Sequence, residues 1–280
     1  MVEESLAERP AKPHSDVTEG AHMRLEGKTA IVTGGGKGIG KSIALSLARE
    51  GCSVAVAGRT SSYLDEVARE INELGRDALA IVCDVANPQS VERLFEQLRQ
   101  HWDSLDILVN NAGQNHSELL VRLDLDTWRR MLDINLTGTF LCSQAALRWM
   151  LQRRSGRIIN IASIGAQIGI RYAGAYVAAK HGVLGLTRTM ALEVAMSDIT
   201  VNAICPGWVE SDMVQGVIQT ISAKTNMSPG QAREHLAKES PQQRLIRPEE
   251  IAFVTVWLSS DEARGITGQA INVSGGQVMK

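Results

Sequence analysis

Seven short apolar runs constrain the folding of this 280-residue chain more than any other feature. They are KTAIVT at 28–33, SVAVA at 53–57, ALAIVC at 78–83, ILVNN at 107–111, GRIINIAS at 156–163, ITVNAIC at 199–205 and QAINVSG at 269–275. Each is continuous and rich in β-branched residues, where a half-exposed strand would alternate apolar with polar. Strands of this kind are buried on both faces, as in a parallel sheet with helices on each side. The segments between the runs are long enough for crossover helices, 41–50 and 91–101 among them. Strand and helix in repeated alternation predict an α/β fold, one doubly wound parallel sheet of about seven strands. The hydrophobic fraction of 44% and charged fraction of 21% supply a core of ordinary size for one domain of this length.

The domain is expected to span 24–280. Residues 1–23 are polar, carry Pro10 and Pro13 and show no periodic apolar face, so they read as a flexible tail. They lack the apolar segment of a secretory signal, and Glu3, Glu4, Glu8, Asp16 and Glu19 argue against a transit peptide. No run approaches the ~20 apolar residues of a membrane span. A formal net charge of -2 leaves no electrostatic footprint for nucleic acid or an anionic membrane as partner. Cys52, Cys83, Cys142 and Cys205 are scattered, with no Cys-x-x-Cys pair and no His at metal spacing. They read as reduced, packed thiols of a cytoplasmic protein, and no metal site is expected. The longest interruption, 208–247, follows a strand end and holds helical stretches punctuated by Ser228-Pro229-Gly230. Ligands sit at such strand ends, so this insertion is expected to form a substrate lid, with a surface decoration as the alternative.

The first run leads into TGGGKGIG, 33–40, and then into a helix. Gly34, Gly38 and Gly40 allow a tight turn, the approach of a phosphate, and a helix N-terminus aimed at it, with Lys37 and Ile39 between. Free N–H groups and the helix dipole favour the anion there. A glycine cluster between a first strand and a helix is a strong dinucleotide signal, and the sheet is therefore expected to be Rossmann-type. The end of the second strand reads AVAGRTSS, with Gly58 where an acid would hold a ribose 2′-hydroxyl and Arg59 next to it. A guanidinium can grip a 2′-phosphate in bidentate fashion. Lys37 adds a second positive charge and Thr60 a further hydrogen bond, so NADP(H) is the expected cofactor. If both cations were merely solvated, NAD would remain, without a partner for its 2′-hydroxyl.

AYVAAKHG, 175–182, places Tyr176 four residues before Lys180. If 175–195 is helical, the two share a face. A free phenol titrates near ~10 and is a poor base at neutral pH. A nearby ammonium would lower that value. The pair alone is weak, since the spacing also arises between ordinary surface residues. Tyr63 and Tyr172 lack a Lys four residues on, which leaves Tyr176 as the candidate. Ser163 ends the preceding strand, where a hydroxyl can hold a substrate carbonyl.

Together these segments resemble the short-chain dehydrogenases/reductases, from about Arg24 to Lys280. The turn matches the family's Thr-Gly-x-x-x-Gly-x-Gly, and Ser163, Tyr176 and Lys180 match its Ser-x(12)-Tyr-x-x-x-Lys. Asp84-Val85 is similar to its adenine-side position, and Asn110-Asn111-Ala112-Gly113 to its motif after strand four. Asn135 stands at the catalytic Asn, which would hold a water linking Lys180 to solvent. Pro206-Gly207, with Val209 and Ser211, fits the nicotinamide-side loop, where Ser211 replaces the usual Thr. Ser274 stands where many relatives carry Asp.

The resemblance implies hydride transfer between NADPH and a carbonyl, with Tyr176 as general acid/base. Ser163 would steady the oxygen, and Lys180 would lower the phenol pKa and hold the nicotinamide ribose. The chain is similar to 3-oxoacyl thioester reductases and to aromatic polyketide ketoreductases. The substrate would be a small carbonyl compound, including a CoA or carrier-protein thioester, and the assembly a homotetramer on helices near 125–151 and 175–195. The alternatives are an NAD(P)-linked alcohol dehydrogenase for a sugar, steroid or simple secondary alcohol, and a non-catalytic NADP-binding sensor or scaffold. Gln114, Asn115 and His116 would line the pocket or else be solvated. Met213, Val214, Val217 and Ile218 would wall the lid or else pack within it.

Overall fold

The computed structural model describes residues 23–279, so the expected tail, save Met23, lies outside the described residues. All seven apolar runs form strands: β1 (Thr29–Thr33), β2 (Ser53–Gly58), β3 (Ala78–Val82), β4 (Ile107–Asn110), β5 (Ser155–Ile161), β6 (Asp198–Pro206) and β7 (Ala270–Val273). They pair in parallel in the order β3-β2-β1-β4-β5-β6-β7. The helices are α1 (Gly38–Arg49), α2 (Ser61–Glu73), α3 (Pro88–His101), α4 (Leu125–Leu132), α5 (Gly138–Arg153), α6 (Gly174–Glu193), α7 (Asp212–Lys224), α8 (Pro229–Lys238) and α9 (Pro248–Ser259). The continuous apolar reading of the strands has a direct cause. Ala30 and Val32 of β1 pack into one layer with α1, α2 and α9, while Ile31 faces the other with α3, α5 and α6. Val54 and Val56 alternate with Ala55 and Ala57 in the same way. Alternate side chains leave opposite faces of a strand, and here both faces are dry.

Sheet order reverses between β1 and β4, so the chain leaves these neighbours in opposite directions and opens a crevice at their carboxyl ends. The insertion covers that end. Helices α7 and α8 share a small core of Val214, Ile218, Ala232, Leu236 and Leu245, apart from the main layers. Pro229 opens α8, and Ser228 and Gln231 complete a capping box, which explains the sharp turn between the two helices. All four cysteines are buried and free. Among the described residues, no helix is long and apolar enough to cross a membrane.

Candidate active site

The crevice holds a cavity of about 340 Å³ that runs from the glycine turn, past the end of β2, to Ser163 and the base of α7. Every residue proposed from sequence for cofactor or catalysis lines it. The glycine turn is shaped by its neighbour. Gly34 has φ +64°, and a Cβ at Gly40 would stand 2.1 Å from the Gly34 carbonyl oxygen. Asn111 fixes this close packing by donating Nδ2 to the carbonyls of Thr33 and Gly34 at 3.0 and 3.1 Å. Asn110, one residue earlier, points into the sheet and donates to Asn160 and Ser143. Gly40 thus serves packing, while Gly38, at the start of α1, faces the cavity near Ser211.

The two expected phosphate cations differ. Arg59 is exposed at the cavity mouth and makes no ion pair among the described residues. Lys37 is bound to Asp212 at 2.7 Å, at the first residue of α7, and its Nζ lies 5.6 Å from the Tyr63 ring centre. Sequence reasoning missed Asp212 and Tyr63, because both reach the site through tertiary packing and carry no motif. Ile134 and Trp208 also join the lining unforeseen.

At the other end, β5 delivers Ser163 and α6 delivers Tyr176 and Lys180. Ser163 caps a single turn, its Oγ accepting from Gly165 N–H at 3.0 Å, and its hydroxyl hydrogen is left for Tyr176. Lys180 is buried, donates Nζ to the Ile161 carbonyl at 2.8 Å, and lies 5.7 Å from the Tyr176 ring centre. Burial pushes the Lys180 ammonium down to about 8. Burial also raises the Tyr176 phenol, against the lowering effect of the Ser163 hydrogen bond. This corrects the expectation that Lys180 lowers the phenol pKa: desolvation is the largest cause and raises it, and the ammonium's hydrogen bond goes to Ile161.

Asn135 is placed by an irregularity. Between α4 and α5 the helix continues through a π turn, Asp133–Thr137, of the kind found at functional sites. Asn135 is fully buried there. Its Oδ1 accepts from Gln114 N–H at 3.2 Å, and its Nδ2 donates to the Gln114 and Met131 carbonyls at 2.9 Å each. Its side chain therefore fixes the loop after β4 rather than touching Tyr176 or Lys180. A Cβ at Gly113 would lie 2.9 Å from Asn135 Oδ1 and 3.8 Å from Lys180 Nζ, so that loop passes between the two. Gln114 and Asn115 line the cavity, whereas His116 is exposed and does not. Met213, Val214 and Val217 line it as well, while Ile218 is buried in the small core between α7 and α8.

A glycine cradle held by Asn111, an unpaired guanidinium at its mouth and a Ser-Tyr-Lys set at its far end define a nucleotide-dependent oxidoreductase. The chain belongs to the short-chain dehydrogenase/reductase family. A family model described as enoyl-(acyl carrier protein) reductase matches residues 34–277. A 3-oxoacyl-[acyl-carrier-protein] reductase of Synechocystis sp. is 40% identical over 91% of this chain and 98% of its own. The FabG reductase of the same description from Staphylococcus aureus is 41% identical over 90% and 98%. Among solved structures, an actinorhodin polyketide ketoreductase variant with NADPH has a TM-score of 0.87 and 37% identity, covering 89% of this chain and 97% of that one.

Proposed function

We propose that this protein is an NADPH-dependent reductase of 3-oxoacyl carbonyls, acting on acyl thioesters carried by CoA or a carrier protein. The observation that carries the reading is the Ser163–Tyr176–Lys180 set, with Ser163 and Lys180 buried and Tyr176 partly buried, lining one cavity with the glycine turn. The relatives named above support the substrate class. The cavity fits the cofactor on its own evidence: side chains are missing where Gly38 faces it, and Arg59 offers an uncommitted guanidinium for a 2′-phosphate.

Bound NADPH supplies the hydride. The chain's own groups manage the oxygen. Ser163 donates to it as negative charge grows, which stabilises the transition state more than the ground state. Tyr176 gives its phenolic proton to the same oxygen as general acid. Lys180, charged below about pH 8, sits one helical turn away with its Nζ 5.7 Å from the Tyr176 ring centre, where it would hold the nicotinamide ribose. Asn135 is a positioning residue, anchoring the 113–115 loop beside Lys180. Helices α7 and α8 form the lid that excludes water once substrate is seated. We also infer a cytoplasmic homotetramer.

The test is NADPH oxidation followed by absorbance, with NADH in parallel, against acetoacetyl-CoA, a 2-enoyl-CoA, a sugar ketone and a steroid ketone. Turnover of acetoacetyl-CoA with NADPH is expected. Turnover of the enoyl thioester alone would reassign the chemistry to carbon–carbon double bonds, and a sugar or steroid preference would reassign the substrate.

A further inference from the structure

Lys37 is where three elements distant in sequence meet. It belongs to the glycine turn, directly before α1. Its Nζ lies 5.6 Å from the ring centre of Tyr63, in the first turn of α2, and pairs at 2.7 Å with Asp212, the first residue of α7. Both neighbours are packed on the turn. The Tyr63 Cβ is 3.0 Å from where a Cβ on Gly36 would stand, and a Cβ on Gly38 would lie 3.7 Å from that of Ser211. Lys37, Arg59, Thr60, Tyr63 and Asp212 all line the cavity. The Lys37–Asp212 pair thus ties the start of the lid to the cradle proposed for the cofactor phosphates. Both side chains are more than half exposed, and ion pairs of that kind are weak. A 2′-phosphate carries a charge of roughly −1.5 to −2 at neutral pH, against −1 on a carboxylate. Coulomb attraction scales with charge, so the ammonium favours the phosphate over Asp212. The 2′-hydroxyl of NAD(H) offers no charge in exchange.

We propose that Asp212 tunes the preference for NADP(H) over NAD(H) by competing with the 2′-phosphate for Lys37, and that the exchange frees the start of the lid. With NADP(H) bound, Lys37 turns from Asp212 to the phosphate beside Arg59. With NAD(H) bound, Lys37 stays on Asp212 and α7 stays tied to the turn. The carboxylate therefore lowers the discrimination that Lys37 would otherwise give, and the loss of its partner carries the presence of the phosphate to the lid. This rests on the NADPH reading above and adds how the lid senses which cofactor is bound.

The experiment titrates NADPH and NADH by fluorescence into wild type, Asp212→Asn, which removes the charge and keeps the shape, and Asp212→Ala, which removes the acceptor as well. The ratio of the NADH Kd to the NADPH Kd should rise about 2- to 5-fold in both variants, the worth of one exposed ion pair. Taking the ratio cancels any effect of the carboxylate on the pyrophosphate that both cofactors share. In a Lys37→Gln background, Asp212→Asn should leave the ratio unchanged. Amide hydrogen exchange reads the lid. Gln215 N–H donates to the Ser211 carbonyl at 2.9 Å in the first turn of α7. Amides 215–218 should exchange faster with saturating NADP+ than with saturating NAD+ in wild type, and equally in Asp212→Asn. An unchanged ratio in either variant, an equal rise in the Lys37→Gln background, or equal exchange with the two cofactors in wild type would overturn the role of Asp212. Wild type that binds NADH as tightly as NADPH would instead remove the phosphate reading of Arg59 and Lys37, so the two failures are distinguishable.

Discussion

Tyr176 and Lys180 show how one environment serves chemistry at the expense of stability. Burial raises the phenol, the proposed proton donor, and the ammonium is buried with one carbonyl as partner. Tyr176→Phe should reduce turnover at least ~1000-fold while NADPH still binds within about twofold, since the phenolic proton is lost and the cradle is untouched. Stopped-flow or steady-state assay together with fluorescence titration checks both halves. Lys180→Met should abolish turnover and raise thermal stability at pH 7. Depression of the ammonium from 10.5 to about 8 corresponds to a penalty on the order of 3 kcal/mol, less the Ile161 hydrogen bond that is lost. The sign follows from linkage. Below about pH 8 the folded chain carries the buried charge and the penalty is complete. It fades as pH rises from about 8 through 10.5, above which neither state carries the charge. Melting curves at pH 7 and pH 10 should therefore show the gain of Lys180→Met shrinking, and an equal gain at both would exclude burial of charge as its cause. Arg59→Ala should weaken NADPH about 10-fold and leave NADH unchanged, because an unpaired guanidinium is lost only to the phosphate. Lys37→Ala should do less, since Lys37 already has Asp212 as a partner. Titration of each variant with both cofactors measures the difference.

At the scale of elements, the decisive structures are contacts between loops that are distant in sequence. The glycine turn is closed by Asn111 from the end of β4, and the loop after β4 is closed by Asn135 from the π turn. Gly40→Ala is the sharpest probe of the first contact. Its Cβ would enter the Gly34 carbonyl at 2.1 Å and Asn111 Nδ2 at 2.6 Å, backbone and a twice-bonded side chain that have nowhere to go. A drop of several degrees in Tm and loss of NADPH binding are expected, by calorimetry and titration. Retained affinity would mean that the turn relaxes without closing the cradle. The Asn110-to-Gly113 stretch was legible as a motif, yet its division of labour was not. Asn110 faces into the sheet and Asn111 faces the turn, a split set by strand alternation and by what stands on each side.

At the scale of the whole molecule, the sheet carries both halves of the site. β1 and β2 lead into the glycine turn and Arg59, the proposed phosphate end, and β5 and β6 lead into Ser163 and Pro206, the proposed reacting end, with the crevice where strand order reverses. Several apolar side chains remain exposed on the outward faces of the long helices, among them Leu125, Phe140, Leu151 and Leu192. The proposed homotetramer would cover such surface. Light scattering on the purified protein should give about four times the 30.4 kDa of one chain. A monomer at micromolar concentration would remove that part of the proposal.

The sequence by itself determined the strands and the parallel sheet, and it named Ser163, Tyr176 and Lys180, the residues proposed to react. Burial on both faces forces continuous apolar runs, and helical spacing ties Tyr176 to Lys180, so both are written locally. Helix limits were nearly as legible, with α1 starting at Gly38 rather than 41 because the turn itself supplies the first helical residue. Tertiary structure alone decided the upward shift of the Tyr176 phenol, the pairing of Lys37 with Asp212, the clamp of Asn135 on Gln114, and the exclusion of His116 from the cavity. Each of these depends on desolvation or on contact between segments far apart in the chain. Neither quantity exists until the chain has folded, and no spacing of residues along it encodes them.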